Sequence, residues 1–102
     1  IWLADNGYRV TVAGTLAEAW QLAQQRSFDL YLMETRLPDG DGGELCRKLH
    51  SLHPATPILI YSADIRPATQ SYILQEHAQR YLTKPSEPEE LIQVVNELLR
   101  PR

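Results

Sequence analysis

The chain has 102 residues, of which 43% are hydrophobic and 23% charged, and this composition is typical of one compact globular domain. No apolar run approaches the roughly 18–20 residues that span a bilayer, so we expect a soluble protein with no membrane partner. Ten Lys and Arg against thirteen Asp and Glu give a formal charge of −3, which offers no bulk attraction for nucleic acid.

The chain opens on the predicted end of a helix, which is followed by a predicted strand. Residues 1–6 are typical of a final helical turn, and Gly7 is a helix stop because glycine adopts a positive φ without strain. Residues 8–12 alternate and are rich in β-branched side chains, a pattern that predicts a strand. We therefore expect the first helix to begin outside this chain.

Strands and helices then alternate with short connections. Further strands are predicted at residues 29–33, 57–61 and 81–83. Four helices are predicted. The first runs from about Thr15 to Gln25 and has a Thr15/Glu18 capping box, and the second carries Leu45, Leu49 and Leu52. The third has Pro67 in its first turn, and the last has a Ser86/Glu89 capping box with Pro88 in its first turn. Strict alternation of this kind predicts a parallel sheet with helices on both faces.

Three polar side chains stand at the ends of consecutive predicted strands. Glu34 follows the second strand, Ser62 follows the third and Lys84 follows the fourth. Because the functional crevice of an open α/β sheet lies beyond the carboxyl ends of its strands, we expect the three side chains to meet at one rim. A purely structural Glu34–Lys84 ion pair and a Ser62 that only caps the next helix are the alternatives.

The order and spacing of these motifs resemble the receiver domain of two-component response regulators. The resemblance is carried by DLYLMETRLPDGDG at residues 29–42, PILIYSA at 57–63 and YLTKP at 81–85, and it covers essentially the whole chain. It implies a flavodoxin-like, doubly wound parallel sheet with helices on both faces. It also implies that the chain is a cytoplasmic signalling module of a phosphorelay and that this module is not an enzyme.

The resemblance gives a role to five positions. Glu34 matches the phosphoacceptor aspartate of the family. Ser62 and Lys84 match the residues that contact the phosphoryl group, and Tyr81 matches the aromatic switch residue. The backbone carbonyl of Arg36 matches a Mg²⁺ ligand, so that Glu34 and Arg36 would form the metal site if Mg²⁺ binds.

Two departures from the family fall on the phosphotransfer chemistry. Glutamate stands at the phosphoacceptor position, and the first strand and most of the first helix, which carry the acidic pair that holds Mg²⁺, are absent from this chain. Since phosphoryl transfer depends on positioning, a nucleophile displaced by one methylene predicts an atypical or phosphorylation-independent receiver. The longer Glu34 side chain brings its charge within reach of Lys84 and Ser62.

The alternative is a working phosphoacceptor that takes a phosphoryl group from a histidine kinase once the acidic pair is present. We expect no cofactor in this chain, whereas Mg²⁺ is possible in a complete domain. The whole chain, 1–102, is then one receiver-like domain that is incomplete at its N-terminal end. A flavin-binding protein is disfavoured because no phosphate-cradling glycine loop follows the first strand. A Glu34/Ser62/Lys84 hydrolase would have no histidine base.

Partners follow from the same resemblance. Residues 67–99 form the face through which the family binds partners, so a histidine kinase, an output domain or protein, or a second copy is expected there. Cys46 is the only cysteine, which excludes an internal disulfide and predicts a packing role. The three histidines, His50, His53 and His77, lack metal-ligand spacing. His77 stands where the family usually has glycine, which predicts an altered turn before the last strand.

Overall fold

The computed structural model describes residues 7–100, in which the strands of the main sheet alternate with helices along the chain. In chain order, the elements are α1 (Leu16–Gln25), β1 (Tyr31–Met33), β2 (Arg36–Leu37), β3 (Gly40–Asp41), α2 (Gly42–Leu52), β4 (Ile58–Ser62), α3 (Pro67–Gln75), β5 (Arg80–Thr83) and α4 (Pro88–Leu99). The main sheet has the strand order β1-β4-β5, and both pairings are parallel. The predicted parallel α/β architecture is therefore confirmed.

The middle strand, β4, separates two hydrophobic clusters. Its residues Ile58, Leu59 and Ile60 are fully buried, and successive side chains point to opposite faces of the sheet. Ile58 and Ile60 pack in a cluster with buried residues of α1, α2 and α3, which are Leu16, Ala23, Leu45, Cys46, Leu49 and Ile73. Leu59 packs on the other face against Leu91, Val94 and Val95 of α4. Helices therefore cover both faces of the sheet, as the alternation predicts.

The strand predicted at residues 8–12 is wrong. Gly7 has φ +89°, as expected of a helix stop, but the following residues have no regular secondary structure. A strand is defined by its ladder, and no described strand pairs with this segment. Its apolar side chains are instead poorly covered: Val12 is 67% exposed. The helix end predicted at residues 1–6 lies outside the described residues.

The two predicted capping boxes have different outcomes. Thr15 caps α1 as predicted, because its side-chain oxygen accepts from the Glu18 N–H at 3.1 Å. The Ser86 cap is wrong: α4 begins at Pro88 after Glu87, with no side-chain cap, and the Ser86 hydroxyl lies 2.9 Å from the Tyr61 hydroxyl. The Ser86 hydroxyl therefore contacts Tyr61 of β4 and does not cap the N-terminus of α4.

The turn-forming residues after β1 form a small antiparallel pair, β2 with β3, that the sequence does not predict. It delivers the chain to α2, where the Asp41 carboxylate accepts from the Gly43 N–H at 2.6 Å and caps the helix. Gly42 N donates to the Thr35 carbonyl at 2.8 Å. A Cβ at Gly42 would overlap the Glu34 carbonyl oxygen, so only glycine allows α2 to start this close to the loop.

Asp39, in the same turn, caps α1 from across the structure. Its carboxylate accepts from the N–H groups of Leu16 at 2.7 Å and Ala17 at 3.1 Å. These hydrogen bonds to the charged form hold the pKa of Asp39 below its usual value. The N-terminus of a helix also favours a negative charge, so Asp39 fixes the turn to α1.

We expect Asp39→Asn to lower the midpoint of thermal unfolding near pH 7 and to have a smaller effect near pH 3. Because folding lowers the pKa of Asp39, its stabilisation is present above the unfolded value of about 3.9 and is lost as the pH falls through the folded value. Thermal melts at the two pH values measure the difference. Asp29→Asn removes the same charge from an exposed position and should leave the midpoint unchanged at both; equal shifts in the two variants would contradict the cap.

Cys46 lies on α2 inside the first cluster and is fully buried, which confirms its predicted packing role. Burial raises the pKa of its thiol to about 12, and the nearby carboxylates of Asp41 and Glu76 act in the same direction. The thiol is therefore neutral at physiological pH. Among residues 7–100, no helix is both long enough and apolar enough to cross a membrane.

Candidate functional site

Of the three side chains predicted to meet at the carboxyl ends of the strands, Glu34 and Lys84 contact each other directly, and Ser62 ends the strand between theirs. The Lys84 ammonium, directly after β5, forms an ion pair with the Glu34 carboxylate, directly after β1. The two side chains are 40% and 41% exposed, so the pair lies at the rim and is open to solvent. The Lys84 N–H also donates to the Ser62 carbonyl at 2.8 Å, which ties the ends of β4 and β5 together.

Ser62 reaches the site through a neighbour that the sequence analysis missed. The serine is 2% exposed, and its hydroxyl lies 3.1 Å from the hydroxyl of Thr35, the residue after Glu34. It also accepts from the Asp64 N–H at 3.1 Å. Ser62 therefore binds beside Glu34 and not to it. The sequence does contain an indication of this contact, because Thr35 carries a hydroxyl and directly follows Glu34.

The helix-capping alternative for Ser62 is wrong. The residue before the first turn of α3 is Arg66, and it makes no side-chain cap. The Ser62 hydroxyl instead closes a local turn two residues long, through the Asp64 N–H. This turn fixes the orientation of the hydroxyl at the end of β4.

Tyr61 is a second partner that the sequence analysis missed. The Lys84 ammonium lies 5.1 Å from the centroid of the Tyr61 ring, within the range of a cation–π contact. The Tyr61 hydroxyl is in turn held by Ser86 at 2.9 Å. Lys84 thus lies between a carboxylate and an aromatic face, which restricts where its charge can be placed.

Tyr81 is half-buried and tied to the loop after β4. Its hydroxyl donates to the Asp64 carbonyl at 2.6 Å. The Asp64 carboxylate accepts two hydrogen bonds from the Arg66 guanidinium, at 2.6 and 3.0 Å, and these contacts hold the pKa of Asp64 well below its usual range. The loop beyond Ser62 is therefore ordered by a charge pair and by Tyr81.

Arg36 lies on β2, opposite Asp41, with an exposed side chain. Glu34 pairs with Lys84 and not with Arg36. The donor set needed for Mg²⁺ does not form among residues 7–100, where no group of three or more His, Cys, Asp or Glu side chains could hold a metal. One carboxylate that is already paired with a lysine does not meet the octahedral oxygen requirement of Mg²⁺. The described residues therefore do not fit a magnesium site.

The family model for the response regulator receiver domain matches residues 1–96. The chain belongs to the response regulator receiver domain family. Receiver domains are signalling domains, and the resemblance found in the sequence is confirmed. A curated relative, the transcriptional regulatory protein CreB of Escherichia coli, is 34% identical over 98 residues, which are 96% of this chain and 43% of CreB.

A second relative has a different architecture. The sensor histidine kinase AruS of Pseudomonas aeruginosa is 36% identical over 100 residues, which are 94% of this chain and 10% of that kinase. The receiver domain described here spans less than half the length of each of these curated relatives. The same receiver sequence type therefore occurs both in a regulator of transcription and in a kinase.

Solved receiver structures confirm the flavodoxin-like fold. A CheY-like receiver domain protein from Methanospirillum hungatei superposes with a TM-score of 0.91 at 30% identity, over 96% of this chain and 78% of that one. The receiver domain of a sensor histidine kinase from Pseudomonas aeruginosa gives a TM-score of 0.88 at 28% identity, over 96% and 82%. That second structure has a magnesium ion coordinated in its active site cleft.

Proposed function

We propose that this receiver domain transmits a state to a protein partner and that its state does not depend on phosphorylation. The observation that carries the proposal is the ion pair between Lys84 and Glu34 at the carboxyl ends of β5 and β1. Lys84 is the position that contacts the phosphoryl group in the family, and here it already binds a carboxylate of the protein. Ser62, the other such position, is likewise engaged, by Thr35.

The chemistry of glutamate supports this proposal. Its extra methylene extends the negative charge toward Lys84 and displaces the nucleophilic oxygen from the place that an aspartate would give it. A carboxylate carries one charge where a phosphoryl group carries nearly two, and it offers two acceptor oxygens instead of three. Glu34 therefore resembles a phosphoaspartate only in part.

Magnitudes limit how far Glu34 can shift a two-state domain. Moving an equilibrium from 1:99 to 99:1 takes about 5.5 kcal/mol of differential interaction. One charged hydrogen bond shielded from solvent contributes roughly 1.5–3 kcal/mol, which is an upper limit for this exposed pair. The Ser62 hydroxyl, which the sequence places within reach of Glu34, contacts the Thr35 hydroxyl and adds no second bond to the carboxylate. The single contact with Lys84 therefore biases the domain without saturating either state.

Stability alone is a weak reason for the pair. At the exposure of these two side chains, an ion pair stabilises the folded state by about 0.2–1 kcal/mol. The same ion pair on the surface of any helix would stabilise the folded state by a similar amount. Its location on the rim that binds the phosphoryl group in the family is what favours a signalling role over a structural one.

The partner surface is proposed to be the face of residues 67–99. On α3, Leu74 is 42% exposed, whereas the ring of Tyr72 lies against Gly43 of α2 and its hydroxyl donates to Asp41 at 3.1 Å; Ile65 in the preceding loop is also exposed. Apolar side chains left in solvent on one element are typical of a surface that a protein covers. A histidine kinase, an output domain or a second copy of this domain would bind there.

Intact-mass measurement after treatment with acetyl phosphate and MgCl₂ tests phosphorylation independence. We expect the mass to be unchanged, because Glu34 is displaced and paired with Lys84. A receiver domain with aspartate at this position, treated in parallel, shows that the reagent is active. If the chain instead gains about 80 Da and Glu34→Gln abolishes the gain, the domain is a working phosphoacceptor and the proposal fails.

A further inference from the structure

One aromatic side chain contacts both the cation of the rim and the residue that leads into α4. The Lys84 ammonium lies 5.1 Å from the centroid of the Tyr61 ring, and the hydroxyls of Tyr61 and Ser86 lie 2.9 Å apart. Lys84 and Ser86 are separated by a single residue in the chain, so Tyr61 holds the turn between β5 and α4 at both of its ends. One residue of β4 therefore connects the ion pair with Glu34 to the start of a helix.

The position of Tyr61 on β4 directs its side chain toward α4. Successive side chains of a strand point to opposite faces of the sheet, so Tyr61 lies on the face of Leu59 and not on that of Ser62. Its ring packs against the cluster that Leu59 forms with residues of α4. Ser62, by contrast, contacts Thr35 and the loop before α3. These two adjacent residues therefore extend from the rim toward different helices, Ser62 toward α3 and Tyr61 toward α4.

The contact between Ser86 and Tyr61 attaches the start of α4 to the sheet. Glu87, the residue before the helix, makes no side-chain cap. Its carbonyl accepts from the N–H groups of Glu90 at 3.0 Å and Leu91 at 3.4 Å, so backbone hydrogen bonds close the first turn. Because no cap of Glu87 fixes this turn, the hydroxyl contact directly before it connects its position to that of Tyr61.

The Lys84 ammonium lies between two attractions. The Glu34 carboxylate attracts it toward the end of β1, and the face of the Tyr61 ring attracts it toward β4. The lysine side chain is long and flexible, so the position of its ammonium follows the balance between the two. A change in the charge of Glu34 therefore changes the contact that the ammonium makes with the Tyr61 ring.

We propose that Tyr61 is a positioning residue that transmits the state of the Glu34–Lys84 pair to the first turn of α4. Its ring receives the change at Lys84, and its hydroxyl passes the change to Ser86. This role of Tyr61 rests on the proposed function, because it takes the ion pair as the part of the domain that changes state. The route ends on α4, one of the two helices of the proposed partner face.

The backbone is the competing route. Lys84 is joined to Ser86 through Pro85, so a movement of Lys84 also reaches α4 along the chain. Tyr61→Phe separates the two routes, because it keeps the ring and removes the hydroxyl that contacts Ser86. Ser86→Ala breaks the same contact from the other side, and the first turn of α4 keeps its backbone hydrogen bonds in this variant. A Tyr61 that only filled the core would do so equally well as phenylalanine.

Amide chemical shifts measure the transmission as the change that Glu34→Gln causes at residues 86–91. Glutamine keeps the length of the side chain and removes its charge. In the wild-type background, we expect the amide signals of this segment to shift. In the Tyr61→Phe and Ser86→Ala backgrounds, we expect the shift to be lost at residues 86–91 and retained at Lys84. Comparing the same substitution across backgrounds isolates the coupling between the two sites.

The protons next to the Lys84 ammonium report the position of the ring. An aromatic face shifts nearby protons upfield, so their signals should keep this shift in Tyr61→Phe and lose it in Tyr61→Leu. Tyr31→Phe is the matched control, because Tyr31 is also a half-buried tyrosine of the sheet and its hydroxyl lies 2.8 Å from Nδ1 of His53, outside the route. The effect of Glu34→Gln on residues 86–91 should be retained in this background.

Three results would overturn the role of Tyr61. Glu34→Gln would leave residues 86–91 unchanged in the wild-type background, or would shift them equally in Tyr61→Phe and Ser86→Ala, which would assign the transmission to the backbone. An equal loss in Tyr31→Phe would show that any lost hydroxyl of the sheet has this effect. The proposed function fails by a different measurement: a mass gain of about 80 Da contradicts phosphorylation independence and leaves the amide shifts as they are.

Discussion

Gly42→Ala is expected to destabilise the receiver domain by about 2–3 kcal/mol. A Cβ at this position would overlap the Glu34 carbonyl oxygen and lie 3.1 Å from the Thr35 carbonyl oxygen. Both obstacles are backbone atoms of the loop that carries the site, and they cannot rotate away as the end of a side chain would. Urea unfolding of the variant, followed by circular dichroism, measures the loss.

Gly14→Ala is the matched control for this substitution. A Cβ at Gly14 meets nothing within 4 Å, so we expect a change of less than about 0.5 kcal/mol in the free energy of unfolding. If Gly42→Ala were as mild as Gly14→Ala, α2 could start elsewhere and the close approach of Gly42 to the Glu34 loop would not be required. The same experiment thus tests how rigidly the site is attached to α2.

Ile60→Ala is expected to cost about 3 kcal/mol, by loss of buried apolar surface and by the cavity left behind. Ile60 is fully buried in the middle strand, where it contacts the cluster formed by α1, α2 and α3. It also precedes Ser62 by only two residues on β4. The loss of packing should therefore loosen the Ser62–Thr35 contact as well as the core.

Ile65→Ala removes the same side chain from a position that is 69% exposed. We expect its free energy of unfolding to stay within about 0.5 kcal/mol of the wild-type value. Parallel urea titrations of the two alanine variants make the comparison. Similar losses in both would mean that the buried face of β4 does not dominate the stability of the domain.

Local patterns predicted the elements whose partners are close in sequence or strongly apolar. The capping of α1 by Thr15 depends on the next three residues, and the run at Ile58–Ser62 is buried on both faces, so each pattern is unambiguous. The segment 8–12 has an equally good strand pattern but needs a partner along its edge. Pattern alone cannot show whether such a ladder forms, and this prediction was wrong.

The candidate site was predictable to the level of which residues meet, but not to the level of their hydrogen bonds. Strand order brings Glu34, Ser62 and Lys84 to one rim, as the alternation required. The partner of the Ser62 hydroxyl depends on the course of the loop after β1, which places the Thr35 hydroxyl 3.1 Å away. Likewise, Ser86 lies three residues before Glu89, as in a capping box, but its hydroxyl contacts Tyr61, which is far away in the sequence.

The burial of Cys46 has a practical consequence for following this domain in solution. A fully buried thiol, neutral because its pKa is raised to about 12, reacts with an alkylating reagent only in molecules whose core has opened. Because the chain has one cysteine, every labelled molecule is labelled at Cys46 on α2. The alkylation rate of Cys46 therefore reports how often α2 separates transiently from its neighbours.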